Sequence, residues 1–135
     1  MGRTTDTGET DATFLRRSLQ LDGIASGLCG VLLLFGAGPI STLFGLPGPG
    51  VAWVVAGLLL VYATALLWNG SRPAINRGEA VLAVGLNAAW VAGSIAVIVL
   101  GPLTFVGNWA VAAVAAAVLG FAVLEAVGLR RLQEA

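Results

Sequence analysis

Apolar residues fall into four long runs along this chain, parted by short segments of glycine, proline or charge. The runs cover residues 19–44, 51–69, 80–100 and 106–129. Each is close to the ~20 residues that a helix rising ~1.5 Å per residue needs to cross ~30 Å of hydrocarbon. The pattern predicts an all-α polytopic membrane protein, with four transmembrane helices in a domain spanning residues 15–131. Residues 1–14 are polar and lack apolar periodicity, so they read as a disordered cytoplasmic tail.

Helix breakers set the turns. Gly36, Gly38 and Pro39 end or kink the first span, Pro47 and Pro49 punctuate the turn into the second, and Gly101 and Pro102 follow the third. Loops this short make antiparallel hairpins of spans one and two and of spans three and four. The hairpins read as copies of each other. Leu21-Asp22 corresponds to Leu86-Asn87, GPISTLFG at 38–45 to GPLTFVG at 101–107, and Trp53 to Trp109. Asn69-Gly70 followed by Arg72 resembles Glu125 followed by Gly128 and Arg130. An even number of spans separates the copies, so they would form a parallel repeat about an axis along the membrane normal.

Composition agrees with a lipid-facing surface. Of 135 residues, 58% are hydrophobic and 10% are charged, against about 25% charged in a soluble domain. So many apolar residues exceed what one small water-soluble core can bury. The chain has no His, which excludes imidazole catalysis and His-type metal or haem ligation. The single cysteine, Cys29, can form neither an internal disulfide nor a multi-Cys metal site, and reads as a small buried hydrophobe. A net charge of zero argues against a nucleic-acid partner.

All seven basic residues are arginine, which with the Ala/Gly-rich composition suggests a GC-rich bacterial genome. Arg3, Arg16 and Arg17 precede the first span, Arg72 and Arg77 lie between the second and third, and Arg130 and Arg131 follow the fourth. The other two loops carry no charge, so the positive-inside rule puts both termini in the cytoplasm and the chain in the plasma (inner) membrane of a bacterium. Arg16-Arg17 before an apolar run also suggests an export signal. The run is long for one, GAGP at 36–39 is a poor cleavage site, and three further spans follow, so retention is expected.

Polar side chains inside hydrocarbon are the first functional candidates. They are Asp22 in span one, Asn69 ending span two, Asn87 in span three and Glu125 in span four, expected to form one layer near the inner interface. Helical spacing gives each its companions: Ser26 with Asp22, Tyr62 and Arg72 with Asn69, Trp90 and Ser94 with Asn87, and Gly128 with Glu125, ahead of Arg130. Gly23 and Gly27 supply a GxxxG spacing, and Gly85, Ala89 and Gly93 a longer ladder of small residues.

Two readings follow. In the structural one, Asp22 and Glu125 pair with Arg16, Arg17, Arg72 or Arg130 while the asparagines tie helices together, each tie worth about 0.6–2 kcal/mol. In the functional one, the two carboxylates face a cytoplasm-open cavity and bind a cation or a proton. A shallow layer favours the structural reading, since coupling sites lie near the bilayer midplane. Trp53 and Trp109 read as anchors among the outer headgroups and Trp68 as one on the inner side. No P-loop, GxSxG, HExxH or Cys-pair signature occurs. Neither an enzyme nor a cofactor is expected.

Leu21-Asp22, Asn87 with Trp90 and Ser94, Thr104 with Gly107, and Glu125 followed by Gly128-Leu129-Arg130 carry a resemblance to a group of uncharacterised bacterial four-span inner-membrane proteins. It covers residues 19–131 and implies the fold without a function. Size and span count are also similar to the small multidrug-resistance transporters, which depend on a Glu embedded in span one. The nearest residue here is Asp22, close to the arginines, so that likeness stops at size. The expected role is a structural or partner-associating bundle whose partners are the bilayer and either a second copy or another membrane protein. The alternative is a minimal proton- or cation-coupled transporter using Asp22 and Glu125.

Overall fold

The computed structural model describes residues 2–134, and the side chains of residues 10–132. Five helices follow one another: α1 (Gly2–Phe35), α2 (Ala37–Phe44), α3 (Gly50–Ser71), α4 (Arg77–Leu100) and α5 (Phe105–Glu134). Four are long and apolar enough to cross a membrane: Thr10–Phe35, Gly50–Ser71, Arg77–Leu100 and Phe105–Leu132. The all-α architecture read from the apolar runs, with four helices long and apolar enough to cross a membrane, is therefore present.

The first run is divided, not continuous over residues 19–44. Pro39 has no N–H to offer the carbonyl of Phe35, and the helix bends there. The bend keeps its neighbouring bonds: Gly36 donates to the Leu32 carbonyl at 2.8 Å, and Ile40 donates to that of Gly36 at 2.9 Å. The short helix α2 then stops at Gly45, whose φ of 78° is the left-handed conformation that glycine adopts without penalty. GPISTLF is thus helical in α2, whereas the matching GPLT lies in a turn before α5. The two segments paired by sequence do not share one conformation.

At the N-terminus α1 begins at Gly2. Leu15 and Leu19 are fully buried there, packed in one cluster with Leu66, Ala80, Ala83 and Leu129. The extended end of α1 therefore lies against the extended end of α5. A β-carbon on Gly128 would stand 3.1 Å from that of Leu15, so only glycine lets the two backbones approach this closely.

Helix α1 packs along α3 and along α5, and α4 packs along α5, while α3 and α4 touch little. Across the bundle the order is α3, α1, α5, α4. The buried positions along these helices are mainly small: Ala52, Ala56 and Ala63 on α3, Ala80 and Ala83 on α4, Ala115 and Ala122 on α5. Gly23 continues the pattern, because a β-carbon there would meet Leu67 at 2.9 Å. Large apolar side chains turn outward, with Leu32, Phe35, Val99 and Leu100 among the most exposed. This inversion of a soluble core is what lipid favours: burying a leucine against another helix gains little over leaving it in acyl chains, whereas close backbone approach gains dispersion contacts.

Each end of the bundle is tied. At the end without arginines, Thr104 joins the two hairpins: its N–H donates to the Phe44 carbonyl at 3.1 Å and its hydroxyl to that of Leu43 at 2.7 Å. The same hydroxyl accepts from Gly107 N–H at 3.1 Å and caps α5. At the arginine-bearing end, Arg16 donates to the carbonyls of Gly70, at 2.6 Å, and of Arg72 and Pro73. A guanidinium has five donors, and here it satisfies carbonyls that the end of α3 leaves without helical partners.

Candidate functional site

Asp22 lies on α1, Asn87 on α4 and Glu125 on α5, and the packing order brings all three to one point inside the bundle. Their exposures are 1%, 4% and 0%. The Asn87 amide nitrogen donates to Asp22 Oδ2 at 2.9 Å, and to Glu125 Oε2 and Oε1 at 3.2 and 3.3 Å. Its two hydrogens are thus divided between two carboxyl groups on two other helices. The carboxyl groups of Asp22 and Glu125 are thereby held beside each other on one shared donor.

Tyr62 brings the fourth helix, α3, into the same node. Its hydroxyl stands 2.8 Å from Asn87 Oδ1, 3.2 Å from the Ala83 carbonyl and 3.4 Å from Asp22 Oδ2. One hydroxyl hydrogen serves one acceptor well, and the shortest contact, to Asn87, fixes which way that amide faces. Ser26, one turn beyond Asp22 on α1, donates to Asp22 Oδ1 at 3.1 Å.

Asn69 stands apart from this layer. It lies seven residues beyond Tyr62 on α3, about 10 Å along the axis, and its side chain closes the α3–α4 turn. Its Nδ2 donates to the Asn76 carbonyl at 3.1 Å, and its Oδ1 accepts from Asn76 N–H at 2.8 Å. Asn76 in turn caps α4 by accepting from Glu79 N–H at 3.0 Å. The layer expected from Asp22, Asn69, Asn87 and Glu125 is built instead from Asp22, Tyr62, Asn87 and Glu125. The four polar residues are spaced differently from their helix ends, because α1 and α5 run further than α3 and α4 at that end.

Of the remaining candidates, Arg72 forms a peripheral pair with Glu79 at 3.7 Å and lies over the Trp68 ring at 5.9 Å. Ser94 is buried and donates to the Trp90 carbonyl of its own helix at 2.8 Å. The Trp90 indole nitrogen is buried without a hydrogen-bond acceptor among the described residues. Arg130 is exposed near the end of α5. Among the described residues no arginine forms an ion pair with Asp22 or Glu125. Arg16, expected as a partner, spends its donors on backbone carbonyls, and Arg131 stacks over Phe14 at 5.1 Å.

The node is therefore a water-excluded meeting of two carboxyl groups, one amide and two hydroxyls drawn from all four spanning helices. It can hold helices in register and it can hold a proton. Two shallow grooves mark the outer surface, and neither includes a node residue. One runs between α3 and α4 past Val61, Ala65 and Trp68, and the other lies over Gly23, Gly27 and Leu60. Compared with protein-family models, with curated proteins and with solved structures, the chain matches none.

Proposed function

We propose that this chain is a structural, partner-associating helical bundle of the bacterial inner membrane, with both termini in the cytoplasm. The observation that carries the reading is the sealed node. Asp22 and Glu125 are at most 1% exposed, and the groups that donate to them, the Asn87 amide and the Ser26 hydroxyl, are uncharged. A carrier needs its site to meet water from each side in turn. Groups that are buried and mutually bonded serve instead to fix which helix lies against which.

The surface supports the second half of the reading. Gly85 and Gly93 on α4 are exposed with nothing within 4 Å of where a β-carbon would stand, and Ala89 between them is exposed too. The GxxxG pair on α1 is used within the chain, against Leu67 and Ala63. The α4 ladder is left for a helix from outside, and a second copy of this chain is the simplest occupant. The orientation rests on the arginines, which gather at one end of the four spans.

Energy transfer between donor- and acceptor-labelled chains in liposomes tests the reading. Transfer that persists on dilution with lipid, and is lost in Gly85→Leu/Gly93→Leu while the helical content is kept, is the expected result. Chains that stay monomeric in the bilayer would remove the partner-associating part. The alternative, a minimal proton- or cation-coupled carrier, has one observation in its favour: two carboxyl groups meet with no arginine paired to them among the described residues. It requires flux across liposomes that Asp22→Asn or Glu125→Gln abolishes.

A further inference from the structure

We propose that Asp22 and Glu125 together bind a single proton, and that this shared proton locks α1 to α5. The inference stands on contact geometry and does not depend on any partner of the bundle.

Four carboxyl oxygens meet in the node, and the donors that face them are few. Ser26 serves Asp22 Oδ1, one amide hydrogen of Asn87 serves Asp22 Oδ2, and the other is divided between the two oxygens of Glu125. Tyr62 has one hydrogen, and its shortest contact is to Asn87 Oδ1. Among the described residues no donor is left for the space between the two carboxyl groups, which meet on one amide nitrogen at 2.9 and 3.2 Å. Two carboxyl groups held on one amide attract when one of them carries a hydrogen and repel when both are anionic. A proton on one carboxyl, donated to the other, completes the set.

Among the described residues no cation is bonded to either carboxyl group. On α1 the facing titratable group is Asp22, on α5 it is Glu125 and on α3 it is Tyr62, while α4 contributes the neutral Asn87. Arg16 is engaged with carbonyls at the end of α3 and in the loop that follows. Arg17 and Arg130 stand five residues away, along α1 and α5 respectively. A pair of anions in so dry a site costs several kcal/mol for each ion, and a proton removes one of the two charges.

The lock opens by deprotonation. The O–H bond between the carboxyl groups breaks, its proton passes to hydroxide or a buffer base entering from the arginine-bearing end, and two carboxylates remain. Their repulsion falls across the α1–α5 interface, where Gly128 lets α5 approach Leu15 closely. Helices α1 and α5 then part at that end.

Infrared difference spectroscopy of the full chain in liposomes, taken across a pH series, reads the proton directly. A protonated-carboxyl band at neutral pH in the wild type, absent from Asp22→Asn/Glu125→Gln, is expected. Its absence from the wild type overturns the proposal without reference to any variant. Spin labels at Leu21→Cys and Leu124→Cys in a Cys29→Ser background read the opening. Both leucines face outward beside the node, at 55% and 40% exposure. The inter-label distance should grow as the band disappears, and should stay constant with pH in Glu125→Gln or, if that variant does not fold, in Asp22→Asn. A band that titrates with no change in distance overturns the lock. An unchanged pH response in the variants overturns the assignment to this pair.

Discussion

The amide of Asn87 donates to Asp22 across 2.9 Å, joining helices whose residues are 65 positions apart in the chain. Helix α1 and helix α4 are not neighbours in the packing order, because α5 lies between them over most of their length. A side-chain bond therefore reaches past α5 to join two helices that do not pack along each other, while Tyr62 on α3 meets the same Asn87 at 2.8 Å and ties the two ends of the row. Glu125, on the intervening helix, accepts from the same amide. In hydrocarbon, where apolar burial favours no one arrangement of helices over another, such bonds choose among otherwise equivalent packings.

Tyr62→Phe should loosen the node without dispersing it. The ring stays, but Asn87 Oδ1 loses its 2.8 Å donor and is left buried without a partner. The expected loss is about 1 kcal/mol in unfolding free energy, measured by denaturant titration in bicelles. No change at all would mean that the hydroxyl has an equally good partner elsewhere and that Asn87 is held by other contacts.

Arg16→Ala should cost about 1–2 kcal/mol, because it strips donors from carbonyls at and beyond the end of α3. Arg16→Lys should recover only part of this, since an ammonium lacks the planar fork that reaches several carbonyls at once. Thermal melting of the three proteins in one detergent orders them. An Arg16→Ala variant equal to wild type would show the clamp to be incidental.

The glycines should divide into two classes. Gly128→Val places methyl groups against Leu15, where a β-carbon alone already comes within 3.1 Å, and overpacking of this kind costs about 1–3 kcal/mol. Gly93→Val meets nothing in the chain, so its stability should stay within about 0.5 kcal/mol of wild type while self-association falls. Parallel measurements of melting temperature and in-membrane energy transfer separate the two effects.

Much of this was legible in the sequence, for a specific reason. Span number and turn positions follow from run length and from Gly36, Pro39, Pro47 and Gly101, which act locally. Asp22, Asn87 and Glu125 stand out because any polar group inside an apolar run does. Their partners were not legible. The eye pairs a carboxylate with the nearest arginine, but Arg16 turns toward the carbonyls of the neighbouring helix end, and nothing in the sequence announces that orphan carbonyls will compete. Counting from the span's end puts Asn69 in the layer, whereas the depth of each helix depends on how far its ends extend. Helices α1 and α5 extend further through the contact of Leu15 with Gly128, which joins positions far apart in the chain. Tyr62, seven residues deeper than Asn69, is the side chain at the right height.

A double-mutant cycle between Asp22→Ala and Asn87→Ala, read as unfolding free energy in bicelles, tests most directly whether the node holds the bundle together. Each single change should destabilise, and the pair should destabilise by at least about 1 kcal/mol less than the sum, because the second change removes a group already left without its partner. Additivity within about 0.3–0.5 kcal/mol, the behaviour of independent sites, would mean that Asp22 and Asn87 do not hold the helices through each other, and would contradict the account at its centre.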